Sequence, residues 1–222
     1  FGLEKAKIIW GTINDRHIVK DSMIDVDLVI HAAAKIHVDD SIENPTDYFM
    51  TNVMGTNNVL EVARQFNIPV MHISTCEVYG FQDDDLLESS PLMPRSPYAA
   101  SKAGADRMAY SYYTTYDMNV CIIRPFNVFG PGQKEVPVNE LATKMVKNVK
   151  GPWIEPKNHD FSYPEESPAY NFKQGKIIHG DSRPGEVKRF VSNSDKIKSF
   201  GWKPKVDLED GLKNYINWRE SL

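Results

Sequence analysis

The stretch Asp27-Leu28-Val29-Ile30-His31-Ala32-Ala33-Ala34 constrains the fold more than any other. Its apolar run does not alternate with polar residues, so it suits a strand covered on both faces, as in a parallel sheet. Parallel neighbours need crossover connections, usually helices. The residues that follow supply them. Pro45 opens a helical pattern that runs through Arg64, with Tyr48, Met50, Val53, Met54, Val59, Leu60 and Ala63 on one apolar stripe. Asn67-Ile68-Pro69 ends it, and Val70 to Ser74 reads as the next strand. Residues 81–97 form a polar, proline-containing loop, with Asp83-Asp84-Asp85 and Glu88 on a solvated surface. Tyr98 to Tyr116 reads as a second long helix, and Asn119 to Arg124 as another strand of the buried type. Ahead of all these, Lys7-Ile8-Ile9-Trp10 reads as a short strand, and Asp15 is placed to cap a short helix reaching Met23. Strand and helix thus alternate, which predicts an α/β architecture with a parallel sheet and right-handed crossovers.

The pattern changes after Gln133. Val138 to Val149 suits one helix, residues 151–175 a loop, and Lys176-Ile177-Ile178 a short strand. Closing helices are expected over Ser194–Phe200 and Leu208–Trp218.

Bulk properties remove several function classes. The 222 residues are 41% hydrophobic and 25% charged, the balance of an ordinary globular protein. The net charge of −4 and the lack of a basic block argue against a nucleic-acid partner. No apolar run approaches the roughly 18 residues that a membrane span requires. Phe1-Gly2-Leu3-Glu4-Lys5 has neither the charged start nor the apolar core of a signal peptide. Cys76 and Cys121 make neither a disulfide framework nor a metal set, so no metal is expected and a reducing cytoplasm is the expected setting. Cys121, inside an apolar strand, is read as packing.

Ser96-Pro97-Tyr98-Ala99-Ala100-Ser101-Lys102 carries the first sign of chemistry. Four residues apart on a helix, Tyr98 and Lys102 share a face. An ammonium beside a phenol favours the phenolate and is expected to lower the tyrosine pKa from its usual value of about 10. Ser74-Thr75-Cys76-Glu77 closes the strand from Val70, and ligands of open α/β sheets bind at the carboxyl ends of strands. The spacing alone is common by chance; two such stretches in one α/β chain suggest the halves of an active site.

These stretches and four others resemble, in order, the extended short-chain dehydrogenase/reductases of the NAD-dependent sugar-nucleotide epimerase/dehydratase family. The others are Asp27–Ala34, Asn52-Val53-Met54-Gly55-Thr56-Asn57-Asn58-Val59-Leu60, Arg124-Pro125-Phe126-Asn127-Val128-Phe129-Gly130-Pro131-Gly132 and Arg183-Pro184-Gly185-Glu186-Val187. The resemblance implies a Rossmann-like parallel sheet with flanking helices in residues 1–133, incomplete at its N-terminal side, and a small substrate-binding part in residues 134–222. It implies NAD, in preference to NADP, and a UDP- or dTDP-linked sugar as substrate. It implies Tyr98 as the base acting on the sugar 4-hydroxyl, Lys102 on the cofactor ribose, and Thr75 on the same sugar oxygen. Ala32, Ala33, Ala34 and Lys35 would line the cofactor, with Asn52 and Ser74 in support and Pro125 to Val128 beside the nicotinamide. Asn127 would reach the nucleotide-sugar and Arg183 its diphosphate. A homodimer through the 45–64 and 98–116 helices is implied as well.

Thr75-Cys76-Glu77 points to a subclass. Dehydratases of the family carry Thr-Asp-Glu there and decarboxylases acting on UDP-glucuronate carry Thr-Ser-Glu, whereas 4-epimerases generally lack the glutamate. The Thr-Cys-Glu form, with the run from Pro94 to Lys102, is similar to tunicamycin-type UDP-GlcNAc dehydratases. The expectation is therefore a nucleotide-sugar dehydratase, with Glu77 and Cys76 assisting loss of water. Against it stand a 4-epimerase or UDP-glucuronate decarboxylase and, from another class, a truncated paralogue that only binds. Cys76 as a small semi-buried residue weighs about equally with Cys76 as a proton donor.

The chain also departs from the family pattern. No Gly-x-x-Gly-x-x-Gly strand–turn–helix, the usual pyrophosphate cradle, precedes Lys7, and Thr12 stands where the family has Asp. His159-Asp160-Phe161-Ser162-Tyr163 echoes a family segment out of order. These 222 residues are expected either to be part of a longer chain or, if complete, to bind NAD poorly.

Overall fold

Three strands, β1 (Val29–His31), β2 (Val70–Ile73) and β3 (Val120–Ile123), pair in parallel in the order β1-β2-β3. The computed structural model describes residues 6–128, 130, 131 and 191–220. The register aligns Val29 with Val70 and Val70 with Val120, so all three strands point their carboxyl ends the same way. Residues that follow the strands therefore meet at one edge of the sheet.

Helices make the crossovers. Between β1 and β2 run α2 (Val38–Glu43), α3 (Pro45–Phe49), a π-helical turn (Met50–Met54) and α4 (Gly55–Phe66). The expected single helix from Pro45 to Arg64 is thus interrupted by a π-turn, a feature often found at functional sites. The 20-residue α5 (Pro97–Tyr116) connects β2 to β3. Its start follows from local chemistry: Ser96 is extended, its hydroxyl accepts a hydrogen bond from the Ala99 N–H, and Pro97 occupies the first turn. The short α1 (Arg16–Ser22) begins as expected at Asp15, whose carboxylate accepts from the His17 and Ile18 N–H groups. Both α4 and α5 end on a left-handed residue, Asn67 and Asp117, types that tolerate that conformation.

The core lies between α4, α5 and the sheet. Leu60, Val62, Ala63, Val70 and Ala109 are fully buried, with Val59, Ile68, Tyr112 and Met118 around them. A Leu60→Ala change would cost about 2–5 kcal/mol by the usual cavity argument.

Three expectations are corrected here. Residues 7–10 form no strand, because no described strand offers them a ladder; Ile8 and Trp10 are exposed. β1 is shorter than Asp27–Ala34 and is not covered on both faces: His31 is buried, but Ile30 is 62% exposed. Among the described residues β1 is an edge strand. Cys121, on the opposite edge strand, is exposed rather than packed, for the same reason.

Two compact units divide the chain, one of residues 1–126 with 185–194, the other of residues 127–184 with 195–222. The sheet belongs to the first. The described part of the second holds α6 (Asp195–Ser199) and α7 (Leu208–Glu220), where Leu212, Tyr215 and Trp218 pack together. The helix expected at Val138–Val149, the loop at 151–175, the strand at Lys176–Ile178, the His159–Tyr163 segment, Phe129 and Arg183 lie outside the described residues. No described helix is long and apolar enough to cross a membrane.

Candidate active site

The helix α5 places Tyr98, Lys102 and Asp106 on one stripe, four residues apart, and all three are buried. They face the carboxyl end of β2. There Ser74 and Thr75 lead directly into a 3₁₀ turn, Cys76–Tyr79, which Thr75 caps by accepting from the Glu77 N–H at 3.3 Å. The two motifs, with residues 78–95 between them, thus come together, and the Thr75 hydroxyl lies near enough to the Tyr98 phenol to favour its ionised form.

Several contacts fix that meeting. The Ser74 and Cys76 N–H groups donate to the carbonyls of Ile123 and Pro125 at 2.7 and 3.0 Å, which ties the turn to the end of β3. Gly80 adopts φ +61°, and a Cβ there would stand 1.9 Å from the Met93 carbonyl oxygen. Only glycine lets the turn pack against the segment that leads into α5. Tyr98 is held at its backbone too. Its N–H donates to Ser41 Oγ at 3.0 Å, and its ring meets Tyr48 edge-to-face with centroids 6.4 Å apart.

Asn52, in the π-turn, joins the other wall. Its Oδ1 accepts from the Lys35 N–H at 2.8 Å, while its Nδ2 donates to the Lys35 carbonyl and to Ser101 Oγ at 3.0 and 2.8 Å. The Ser101 hydroxyl donates in turn to the Tyr98 carbonyl. The π-turn aims this amide inward, and its bonds pin the 32–35 loop to the Tyr98 helix. Ala32 and Ala33 are exposed at the end of β1, beside a groove of about 230 Å³ lined also by Gly11, Thr12, Val29 and His31. Lys35 points outward and pairs with Asp47 at 2.9 Å. Pro125 reaches the site through its carbonyl; Asn127 and Val128 are exposed and belong to the second unit.

The electrostatics differ from the expectation in one respect. The Tyr98 pKa is raised and not lowered, and Lys102 directs its Nζ to the Ile73 carbonyl at 2.6 Å. Burial pushes the Tyr98 phenol up, and the nearby Thr75 hydroxyl offsets this only in part. Burial also pulls Lys102 down to about 8, against the nearby Asp106 carboxylate. The Cys76 thiol is pushed up to about 12 by burial and then by Glu77, so it stays protonated at neutral pH. Beneath Lys102, His31 and His72 are held neutral by burial and by the lysine charge, at about 4 and about 3. His31 Nε2 bonds to Thr56 Oγ1 at 2.9 Å, whereas both ring nitrogens of buried His72 lack a partner among the described residues.

Asp106 and Ser41 were not foreseen from the sequence. Asp106 had a signal, since it continues the Tyr98–Lys102 spacing on an alanine-rich helix. Ser41 had none, as α2 shows no apolar period.

The arrangement can hold an oxygen between Tyr98 and Thr75 with a carboxylate, Glu77, two residues on. For NAD, the small residues after β1 and the buried Lys102 fit the nicotinamide-ribose end. No glycine-rich turn at a helix start is present among the described residues to fit the pyrophosphate, and α1 already satisfies its first N–H groups with the Asp15 carboxylate.

Comparison with known proteins follows the same line. A family profile described as GDP-mannose 4,6 dehydratase matches residues 3–156. The dTDP-glucose 4,6-dehydratase of Streptomyces antibioticus is 40% identical over 95% of this chain and 75% of its own length. The low-salt glycan biosynthesis protein Agl12 of Haloferax volcanii is 31% identical over 96% of this chain and 81% of its own. Among solved structures, a double mutant of DesIV, the dTDP-glucose 4,6-dehydratase of Streptomyces venezuelae, with NAD bound, superposes with a TM-score of 0.78 at 27% identity, covering 98% of this chain and 81% of that one. TunA, an NAD-dependent NDP-hexosamine 5,6-dehydratase of tunicamycin biosynthesis, superposes with a TM-score of 0.71 at 25% identity, covering 91% and 80%.

Proposed function

The chain belongs to the GDP-mannose 4,6-dehydratase-like family of NAD-dependent epimerases and dehydratases, and from that premise we propose that it removes water from a nucleotide-diphosphate sugar, UDP- or dTDP-linked, after oxidation at the sugar 4-carbon. The observation that carries this reading is the meeting of Tyr98 with Thr75 at the head of a turn that also presents Glu77.

Each residue has a distinct task. Tyr98 takes the proton of the sugar 4-hydroxyl, and Thr75 hydrogen-bonds the same oxygen as charge develops on it. NAD, when bound, supplies the acceptor for the hydride that leaves the 4-carbon. Lys102, Ala32, Ala33, Ala34 and the loop to Lys35 form the wall for its ribose and nicotinamide end; Asn52 acts by holding that loop, since its amide is already engaged with Lys35 and Ser101. Pro125 and Val128 complete the nicotinamide side, with Ser74 in support. The ketone at the 4-carbon acidifies the neighbouring C–H, which Glu77 deprotonates as the 6-hydroxyl departs as water; the hydride taken from the 4-carbon then returns to the unsaturated sugar with a proton, so that the net loss is one water. Cys76 holds its proton up to about pH 12, so any part it takes is as donor and never as base. Asn127 and Arg183 are assigned to the nucleotide-sugar.

Phe49, Met50, Met54, Tyr110 and Tyr113 leave apolar surface on the 45–64 and 98–116 helices. This supports a homodimer through those helices. A cytoplasmic site of action completes the reading.

The test is mass spectrometry of products from a panel of UDP- and dTDP-sugars. Loss of one water from the sugar is expected. Unchanged mass with altered retention would replace the reading by a 4-epimerase, and loss of carbon dioxide by a decarboxylase.

A further inference from the structure

Arg124 sits immediately after β3, and its side chain is 12% exposed. Its Nε and Nη2 donate to the two carboxylate oxygens of Asp106 at 2.7 and 2.9 Å, a bidentate pair with an acid that is wholly buried on α5. Its Nη1 donates to the Tyr79 hydroxyl at 2.8 Å and to the Glu88 carbonyl at 3.0 Å. The guanidinium also stacks on the Tyr79 ring, 5.1 Å from its centroid. Arg107 adds a further ion pair to Asp106 from the exposed side of the helix. Tyr79 is itself buried among Val78, Leu86 and Ala103, and it closes the 3₁₀ turn that carries Glu77.

One residue therefore ties three pieces of the site together. Through Asp106 it grips the helix that carries Tyr98 and Lys102. Through Tyr79 it grips the far end of the turn that carries Thr75 and Glu77. Through its own backbone it continues into Pro125, whose carbonyl accepts from the Cys76 N–H at the near end of that turn. Burial works against the charges of both Arg124 and Asp106, and their mutual bonds more than offset it: the Asp106 carboxyl is held below its usual value and the Arg124 guanidinium above its own. Lysine cannot replace this geometry, because it lacks the planar fork that serves two partners together.

The geometry points to Arg124 and Asp106 as a positioning pair that sets the Thr75–Glu77 turn against Tyr98, acting through Tyr79. For its kinetic arm this rests on the dehydratase reading above; its labelling arm does not. Tyr79→Phe is the discriminating variant, since it removes the hydrogen bond to the turn and leaves the ring stack and the Arg124–Asp106 pair intact. Arg124→Lys is the second, which keeps a charge opposite Asp106.

Both are made in a Cys121→Ser background, so that Cys76, buried in the turn, is the remaining thiol. The rate of Cys76 labelling by a small alkylating reagent is measured with the urea midpoint of unfolding. Loss of a hydrogen bond to a charged group predicts labelling at least about tenfold faster in Tyr79→Phe, more than any change in global stability explains. In the turnover assay kcat falls while KM holds, because the turn moves relative to Tyr98 and the nucleotide contacts do not. Labelling that follows the unfolding midpoint alone, or wild-type labelling with wild-type kcat in both variants, would overturn the proposal. If the parent protein turns over no nucleotide-sugar, the dehydratase reading fails and the labelling rates alone decide the clamp. If Arg124→Lys does not fold, Tyr79→Phe still decides it.

Discussion

The edge and the centre of the sheet treat similar sequences in opposite ways. Val29-Ile30-His31 and Val70-Met71-His72 have the same look, and both histidines are buried. Yet β2 has paired neighbours on both sides and Lys102 of α5 bonded to the carbonyl of its last residue, while β1 has one neighbour among the described residues and an exposed Ile30. Around β2 the charged groups Lys102, Asp106 and Arg124 are enclosed and mutually engaged. Ahead of β1, Ile8 and Trp10 stand in solvent, the latter 89% exposed. An apolar run states a capacity for burial; the neighbours decide whether it is used. The catalytic assignments all lie on the enclosed side, and the cofactor wall formed by Ala32 to Lys35 lies on the open one.

That contrast can be broken at several points. The largest effect is expected at Asp106→Ala. Removing a fully buried acid leaves Arg124 without its counter-charge, and the loss should be about 3–5 kcal/mol, read as a lower urea midpoint. An unchanged midpoint would mean that the pair is not enclosed as described.

A smaller effect, of opposite sign, is expected at His72→Leu. Both ring nitrogens lack partners among the described residues, so their removal should stabilise by about 1–3 kcal/mol at pH 7. The pH dependence has a definite direction. His31 and His72 are held near 4 and near 3, below the unfolded value of about 6.5. Below pH 6.5 the unfolded chain takes up protons that the folded chain does not, so stability falls as pH drops toward 3 and is flat above 6.5 for these groups. Each neutral histidine contributes about 1.4 kcal/mol per pH unit in that window. The variant should show a shallower acid slope; an identical slope would remove His72 from the account.

The smallest effect is expected at Trp10→Ser, within about 0.5 kcal/mol, since that side chain contacts solvent. A loss of several kcal/mol would show that the open end is covered in solution and would erase the contrast.

Much of the enclosed side was legible in the sequence. Ser96-Pro97 announces the start of α5, Asp15 that of α1, and the strands at 70 and 120 follow from unbroken apolar runs. The spacing of Tyr98 and Lys102 and the ordered motifs located the site, although their direct effect on one another was misjudged, because nothing in the spacing says that Ile73 offers Lys102 a carbonyl. The π-turn at Met50–Met54 was invisible, since one extra residue in a helical turn leaves the apolar stripe almost unchanged, yet that turn aims Asn52 inward. The Arg124–Asp106–Tyr79 junction was also missed. It joins three elements far apart in the chain, and only the folded arrangement of strand, turn and helix brings them together.

The central claim is that Tyr98, set against Thr75 and Glu77, begins the loss of water from a nucleotide-sugar. Turnover of Tyr98→Phe with the sugar-nucleotide that the parent dehydrates tests this most directly. A fall of about 10²–10⁴-fold with an unchanged urea midpoint is predicted, as for loss of a general base from a folded site. Turnover at the parent rate would contradict it.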